Sequence, residues 1–238
     1  LIRHGMSRVV YFVLVPATLL CGALHEIAGS YLKWLPYTNL GPHFPAPGGE
    51  FPIAENGHRV IKYTCGVAIL QLPFFAAGHA WAGLDGGYPQ DGFSFPYVFC
   101  VFLGNLFYLL FGGYLLYLLL AGHFNPKIAF WTLLVLALGT NLFNFAVYRA
   151  GMSHAYLFSL YAGLMYATWR FYAQPRRLWI ILAAICAGLI TLIRPVEILC
   201  LAIPLAYGLT DRSKLQERLK FWGEYWRWLF LAAGIFIL

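Results

Sequence analysis

Across 238 residues, 61% are hydrophobic and only 11% are charged, and the mean hydropathy is +0.69. Soluble domains carry about 25% charged residues, so this composition excludes an ordinary water-soluble fold and points to apolar segments in lipid. The net charge of +7 sits between and beside the hydrophobic runs. That placement fits positive loops at a membrane surface and argues against a nucleic-acid partner.

Residues 9–24 are apolar but interrupted by Pro16, which predicts a short span or an interfacial helix. Residues 25–62 form the one sizeable polar loop, with the run PHFPAPGGEFP inside it. Residues 63–83 are apolar with Pro73 at the centre, and 93–120 is the longest run, ending at the break His123 to Lys127. Then come 128–148, the polar island 149–154, 155–172, the basic turn 174–177, and the runs 178–193 and 196–209 around Arg194-Pro195. Residues 211–227 are amphipathic, with five Lys/Arg against three acids. The pattern predicts an all-α polytopic bundle of about six transmembrane helices plus interfacial helices. It reads as one membrane domain over 1–238: an external loop with interfacial helices (1–92), transmembrane helices (93–210), and a basic segment opening a further helix (211–238).

The basic loops orient the bundle. Arg170, Arg176 and Arg177 mark the same side as Arg212, Lys214, Arg218, Lys220 and Arg227, which the positive-inside rule places in the cytoplasm. Parity then puts 149–154, 194–197 and Asp85 to Asp91 outside. It leaves 63–83 dipping into the outer leaflet, with a break at Pro73. The chain starts at Leu1 without a methionine, and 228–238 covers about half a crossing, so it reads as the N-terminal part of a longer protein.

Ionisable groups at helix ends in a membrane are costly and mark function. His58, Arg59, Lys62, Asp85, Asp91, Arg149, His154, Arg194 and Glu197 gather on the predicted external side. Cations beneath an apolar groove suit a lipid headgroup, because Arg and Lys pair with phosphate oxygens. Within Arg194-Pro195-Val196-Glu197, the arginine is either a structural ion pair or a phosphate contact. Asn141 and Asn144 are expected to bond a neighbouring helix. The five cysteines lie in apolar stretches and read as small buried hydrophobes. Histidine spacing suggests no metal site, and no nucleotide or hydrolase motif is present.

The stretches KYTCGVAILQLPFF (62–75), DGFSFPY (91–97), GMSHAY (151–156) and LIRP (192–195) resemble bacterial membrane glycosyltransferases of the GT-C fold. These are relatives of the protein O-mannosyltransferases and of the aminoarabinose transferases that modify lipid A. The resemblance is one of order and spacing and covers roughly residues 5 to 210. It implies transfer of a sugar from a polyprenyl phosphate to an acceptor on the external face of a bacterial inner membrane, with no cofactor or metal. It assigns Lys62, Arg149 and Arg194 to the lipid-linked phosphate, with His154 and Glu197 as their local partners. The family places an acidic general base near the start of its first external loop, where this chain has Gly5-Met6-Ser7. An alcohol attacks poorly while it keeps its proton, which leaves three readings: another external acid (Asp91, Glu55 or Glu50) serves as the base, the match is shifted along the chain, or this copy is inactive. The competing reading is a non-catalytic membrane protein, a transporter fragment or an accessory subunit of a larger assembly.

Overall fold

Apolar stretches satisfy their backbone most simply as helices, and that is how this chain folds. A computed structural model describes residues 65–147 and 152–237, and every regular element among them is helical. Glu50, Glu55, His58, Arg59, Lys62 and Arg149, and the predicted elements before residue 65, lie outside the described residues.

Helix α1 (Gly66–Asp85) and α2 (Phe95–His123) are joined by a short loop, and α3 (Pro126–Gly139) and α4 (Leu142–Val147) follow. Then come α5 (His154–Ala173) and α6 (Arg177–Ile193), a 3₁₀ stretch (Pro195–Leu201) and the short α7 (Ala202–Ala206). Helices α8 (Arg212–Glu224) and α9 (Trp226–Ile237) complete the described chain. Local chemistry sets several of these boundaries. Pro96 and Pro126 fall in first turns, where a missing amide costs nothing. The Asn125 and Asp211 side chains accept from the amides of Lys127 and Lys214 at the starts of α3 and α8.

Helices α1 and α2 are long and apolar enough to cross a membrane. Little of α2 is covered by protein: it buries Pro96, Tyr97, Gly104, Asn105 and Gly112, while Leu103, Phe107 and Phe111 face outward. A helix that is apolar all round and mostly uncovered suits lipid as its surroundings. Burial concentrates instead on α5, where Tyr156, Leu160, Leu164 and Ala167 pack with Ala183, Ala187 and Ile190 of α6.

Helix register matters for the site. Tyr108 of α2 meets Tyr156 of α5 with ring centroids 5.1 Å apart. A Cβ at Gly112 would lie 2.6 Å from the Ser159 Cα, so α2 and α5 approach backbone to backbone. His123 then reaches Trp169 at 5.1 Å, so the second half of α2 runs parallel to α5. Helix α1 returns antiparallel along the first half of α2, with Gly78 against Tyr97, while Gly66 touches Ile193 at the end of α6. The thirteen steps of helix rise from Phe95 to Tyr108 therefore extend the α1–α2 hairpin about 20 Å past the level of Tyr156 in the first turn of α5.

Several sequence expectations change. Helix α1 runs unbroken through Pro73. Proline withholds the hydrogen bond that the Ile69 carbonyl would accept, and one residue further on the Tyr108 hydroxyl of α2 donates to the Leu70 carbonyl at 3.1 Å. The run 128–148 is divided, because Thr140 adopts an extended backbone and its hydroxyl bonds the Leu136 carbonyl. Asn141 and Asn144 are exposed, and neither bonds a neighbouring helix among the described residues. The run 196–209 is a 3₁₀ stretch and one short α-helix, with Pro195 and Pro204 denying two amides to a regular ladder. Cys65 is exposed, against the expectation of burial, while Cys200 is buried.

Candidate functional site

Helices α5 and α6 are antiparallel neighbours joined by a tight basic turn, so the first residues of α5 and the last of α6 share one end of the bundle. Pro195 forces the residue before it into extended backbone, and Arg194 sits there at φ −142° and ψ 107°. Its Nη2 donates to the Ser153 hydroxyl at 3.0 Å. Its Nη1 faces the Glu197 carboxylate at 3.9 Å. Glu197 in turn accepts a short hydrogen bond from the Tyr161 hydroxyl on the third turn of α5. The His154 ring stacks on Phe145 of α4, with centroids 3.9 Å apart and planes 20° from parallel.

The Arg194 and Glu197 side chains keep 40% and 29% of their surface exposed. A partly hydrated pair at 3.9 Å contributes little stability, on the order of 0–1 kcal/mol. Its importance lies in what it holds in place. Ser153 accepts from one guanidinium nitrogen and Glu197 faces the other at 3.9 Å, so an anion would bind by sharing or displacing that loosely held second edge, with charge-assisted hydrogen bonds. A planar guanidinium fixed at one edge suits a phosphate or carboxylate oxygen better than a mobile ammonium would.

The structure thus brings together three residues singled out from sequence: His154, Arg194 and Glu197. Ser153, Phe145 and Tyr161 were not singled out. One signal for Tyr161 was present, since it follows His154 by seven residues, two helical turns, and shares its face.

Asp91 is elsewhere. It lies in the loop at the tip of the α1–α2 hairpin, about 20 Å along α2 from the level of Tyr108 and Tyr156. One carboxylate oxygen accepts from the amides of Phe93 and Ser94, at 2.8 Å each. The Phe93 amide is the leading cause that holds Asp91 below the ordinary carboxylate value of 3.8. A carboxylate occupied in this way is a poor proton acceptor, and its role here is to shape the loop that leads into α2. Asp91 is therefore not part of the Arg194 group.

The opposite end of the bundle is basic and aromatic. Arg177 lies over the Trp228 ring at 5.8 Å, and Arg170 over Trp179 at 5.1 Å. The Arg218 guanidinium stacks 3.5 Å from the Tyr172 ring centroid. The turn after α5 and the amphipathic helix α8, 35 residues further on, thereby meet on one side. Compared with known proteins, the chain matches no family model, no curated protein and no solved structure.

Proposed function

We propose that the chain is an integral membrane part of a transferase that takes a sugar from a polyprenyl-phosphate carrier on the external face, with Arg194 at the lipid phosphate. The bundle of about six crossings and the GT-C likeness belong to this reading, as does location in a bacterial inner membrane. One observation carries it. Arg194, Ser153 and Glu197 converge from segments 41 residues apart, at the end of the bundle opposite the basic belt.

The chemistry fits a displacement at a sugar carbon. A guanidinium at the phosphate stabilises charge as it builds on the leaving group, which is the largest single term in many such reactions. His154 borders the same polar group. Lys62 and Arg149 remain assigned to the phosphate by resemblance alone. The acceptor's base is not given to Asp91; Glu55 or Glu50, acids of the predicted external loop, take that role in this reading.

A second reading has its own support. Glu197 and Ser153 already partner Arg194, so the group is complete without a ligand, as a non-catalytic membrane subunit would require. One experiment divides the two. The longest available chain is reconstituted in vesicles and supplied with a radiolabelled polyprenyl-phosphate sugar. Arg194→Ala is expected to lower transfer at least about 100-fold, the scale of one lost electrostatic contact in a transition state, with protein yield unchanged. Transfer equal to the parent would remove Arg194 from the reaction. No transfer by the parent over a panel of carrier sugars would favour the subunit reading.

A further inference from the structure

The basic end holds a cavity that the transferase reading does not use. It measures about 330 Å³ and runs between α5, α6, α7, α8 and α9, at the low end of the ~300–1,000 Å³ of small-molecule sites. Its wall is apolar, built from Ala183, Ala187 and Leu201 on one side and Ala232 and Phe236 on the other. The small side chains leave a slot between helices that larger residues would close.

Its other limit is aromatic, and the nearest cation, Arg218, packs on the Tyr172 ring without itself lining the cavity. Tyr172 and Trp222 line the cavity. The Trp222 indole donates to the Tyr172 hydroxyl at 3.2 Å, and that hydroxyl donates to the Pro204 carbonyl at 2.9 Å. Arg218 covers the Tyr172 ring, and its one hydrogen bond goes to the Tyr207 carbonyl through Nη2. Beside it, residues 211–227 carry five Lys/Arg against three acids, and Arg176 and Arg177 are exposed close by. About one turn deeper than Tyr172, the buried Thr168 hydroxyl has no hydrogen-bond partner.

We propose that this cavity takes one acyl chain of a negatively charged glycerophospholipid, with its phosphate held at Arg218. An apolar slot ending at a cationic rim matches a molecule that is apolar along its length and anionic at one end. A basic amphipathic helix such as α8 matches the anionic leaflet that supplies such lipids. Thr168 offers a donor where the ester carbonyl lies, just below the phosphate. A neutral isoprenoid or a peptide would leave the cationic rim without a counterpart. The proposal rests on the membrane placement and is independent of sugar transfer at the Arg194 end.

The test uses the full available chain in phosphatidylcholine vesicles doped with spin-labelled phosphatidylglycerol or spin-labelled phosphatidylcholine, and reads the motionally restricted spectral component. The restricted fraction is expected to favour phosphatidylglycerol, and inorganic phosphate should not compete. Arg218→Ala should weaken that preference about fivefold, the effect of one cation near an anionic surface. Ala232→Phe should remove the restricted component by filling the slot while leaving the rim intact. Unchanged thermal unfolding and elution of both variants guard against misfolding. Equal restriction of the two lipids, or no effect of Ala232→Phe in a folded protein, would overturn the proposal. So would displacement by free phosphate. Failure here with Arg194-dependent transfer intact would leave the transferase reading standing.

Discussion

The Tyr161 hydroxyl donates to the Glu197 carboxylate across 36 positions of sequence. It ties the middle of α5 to the turn that carries Arg194. Removing the hydroxyl with Tyr161→Phe leaves a half-buried carboxylate short of a donor, at a cost of about 1–3 kcal/mol. Thermal unfolding in detergent should register that loss. Groups in one network do not add, so Tyr161→Phe with Glu197→Gln should cost less than the sum of the single changes. Strict additivity would show that the two residues act separately.

Gly112 and Gly113 provide a matched pair. A Cβ at Gly112 would press on the Ser159 backbone at 2.6 Å, whereas a Cβ at Gly113 meets nothing within 4 Å. Gly112→Ala is expected to destabilise by about 1–3 kcal/mol, the range for overpacking. Gly113→Ala should be neutral or stabilising by up to about 1 kcal/mol, through helix propensity. Equal effects on the unfolding midpoint would contradict the close α2–α5 contact.

Asp91 carries a pH dependence. Its pKa is lowered from 3.8 in the folded state, chiefly by the Phe93 amide. The stabilisation it brings is therefore fully present above the unfolded value and is lost as pH falls through the lowered folded value. Asp91→Ala should cost no more than about 1 kcal/mol at neutral pH, as the loss of exposed loop hydrogen bonds does. That difference should shrink only below about pH 4. A gap that closes between pH 6 and 8 would point to another group.

Cys65 is exposed, and its neighbour Gly66 touches Ile193 at the Arg194 end. Lys214 is exposed on α8 at the basic end. In a background lacking the other cysteines, a membrane-impermeant maleimide added outside sealed cells should label Cys65. It should reach a cysteine at Lys214→Cys only after permeabilisation. Labelling of both from outside would defeat the crossing between them.

Much of this architecture was legible in the residues. Long apolar runs bounded by proline and basic turns locate α2, α5 and α6 within a few positions. Clustered arginines mark the end where Arg177 and Trp228 meet. Arg194-Pro195 was conspicuous because a cation between two apolar runs is costly unless held. Register was not legible. An aromatic residue in an apolar run gives no sign of its partner, so neither the Tyr161–Glu197 bond nor the Tyr108–Leu70 bond could be read from composition. The same gap placed Asp91 with Arg194, since residues sharing a side of the chain's path can still lie on opposite stretches of a long helix. The division of 128–148 was missed because one threonine bonding its own backbone outweighed strong apolar character on both sides.

The contact between Gly112 and Ser159 also has a mechanical meaning. Helix α2 has no proline beyond its first turn, so it behaves as one rod, and it is held along α5 at Tyr108, Gly112 and His123. The stretch from Phe95 to Gly112 is about 25 Å long, and that from Gly112 to His123 about 16 Å. A tilt of the hairpin tip about Gly112 therefore has to part His123 from Trp169 of α5, so the two ends of the rod are mechanically coupled.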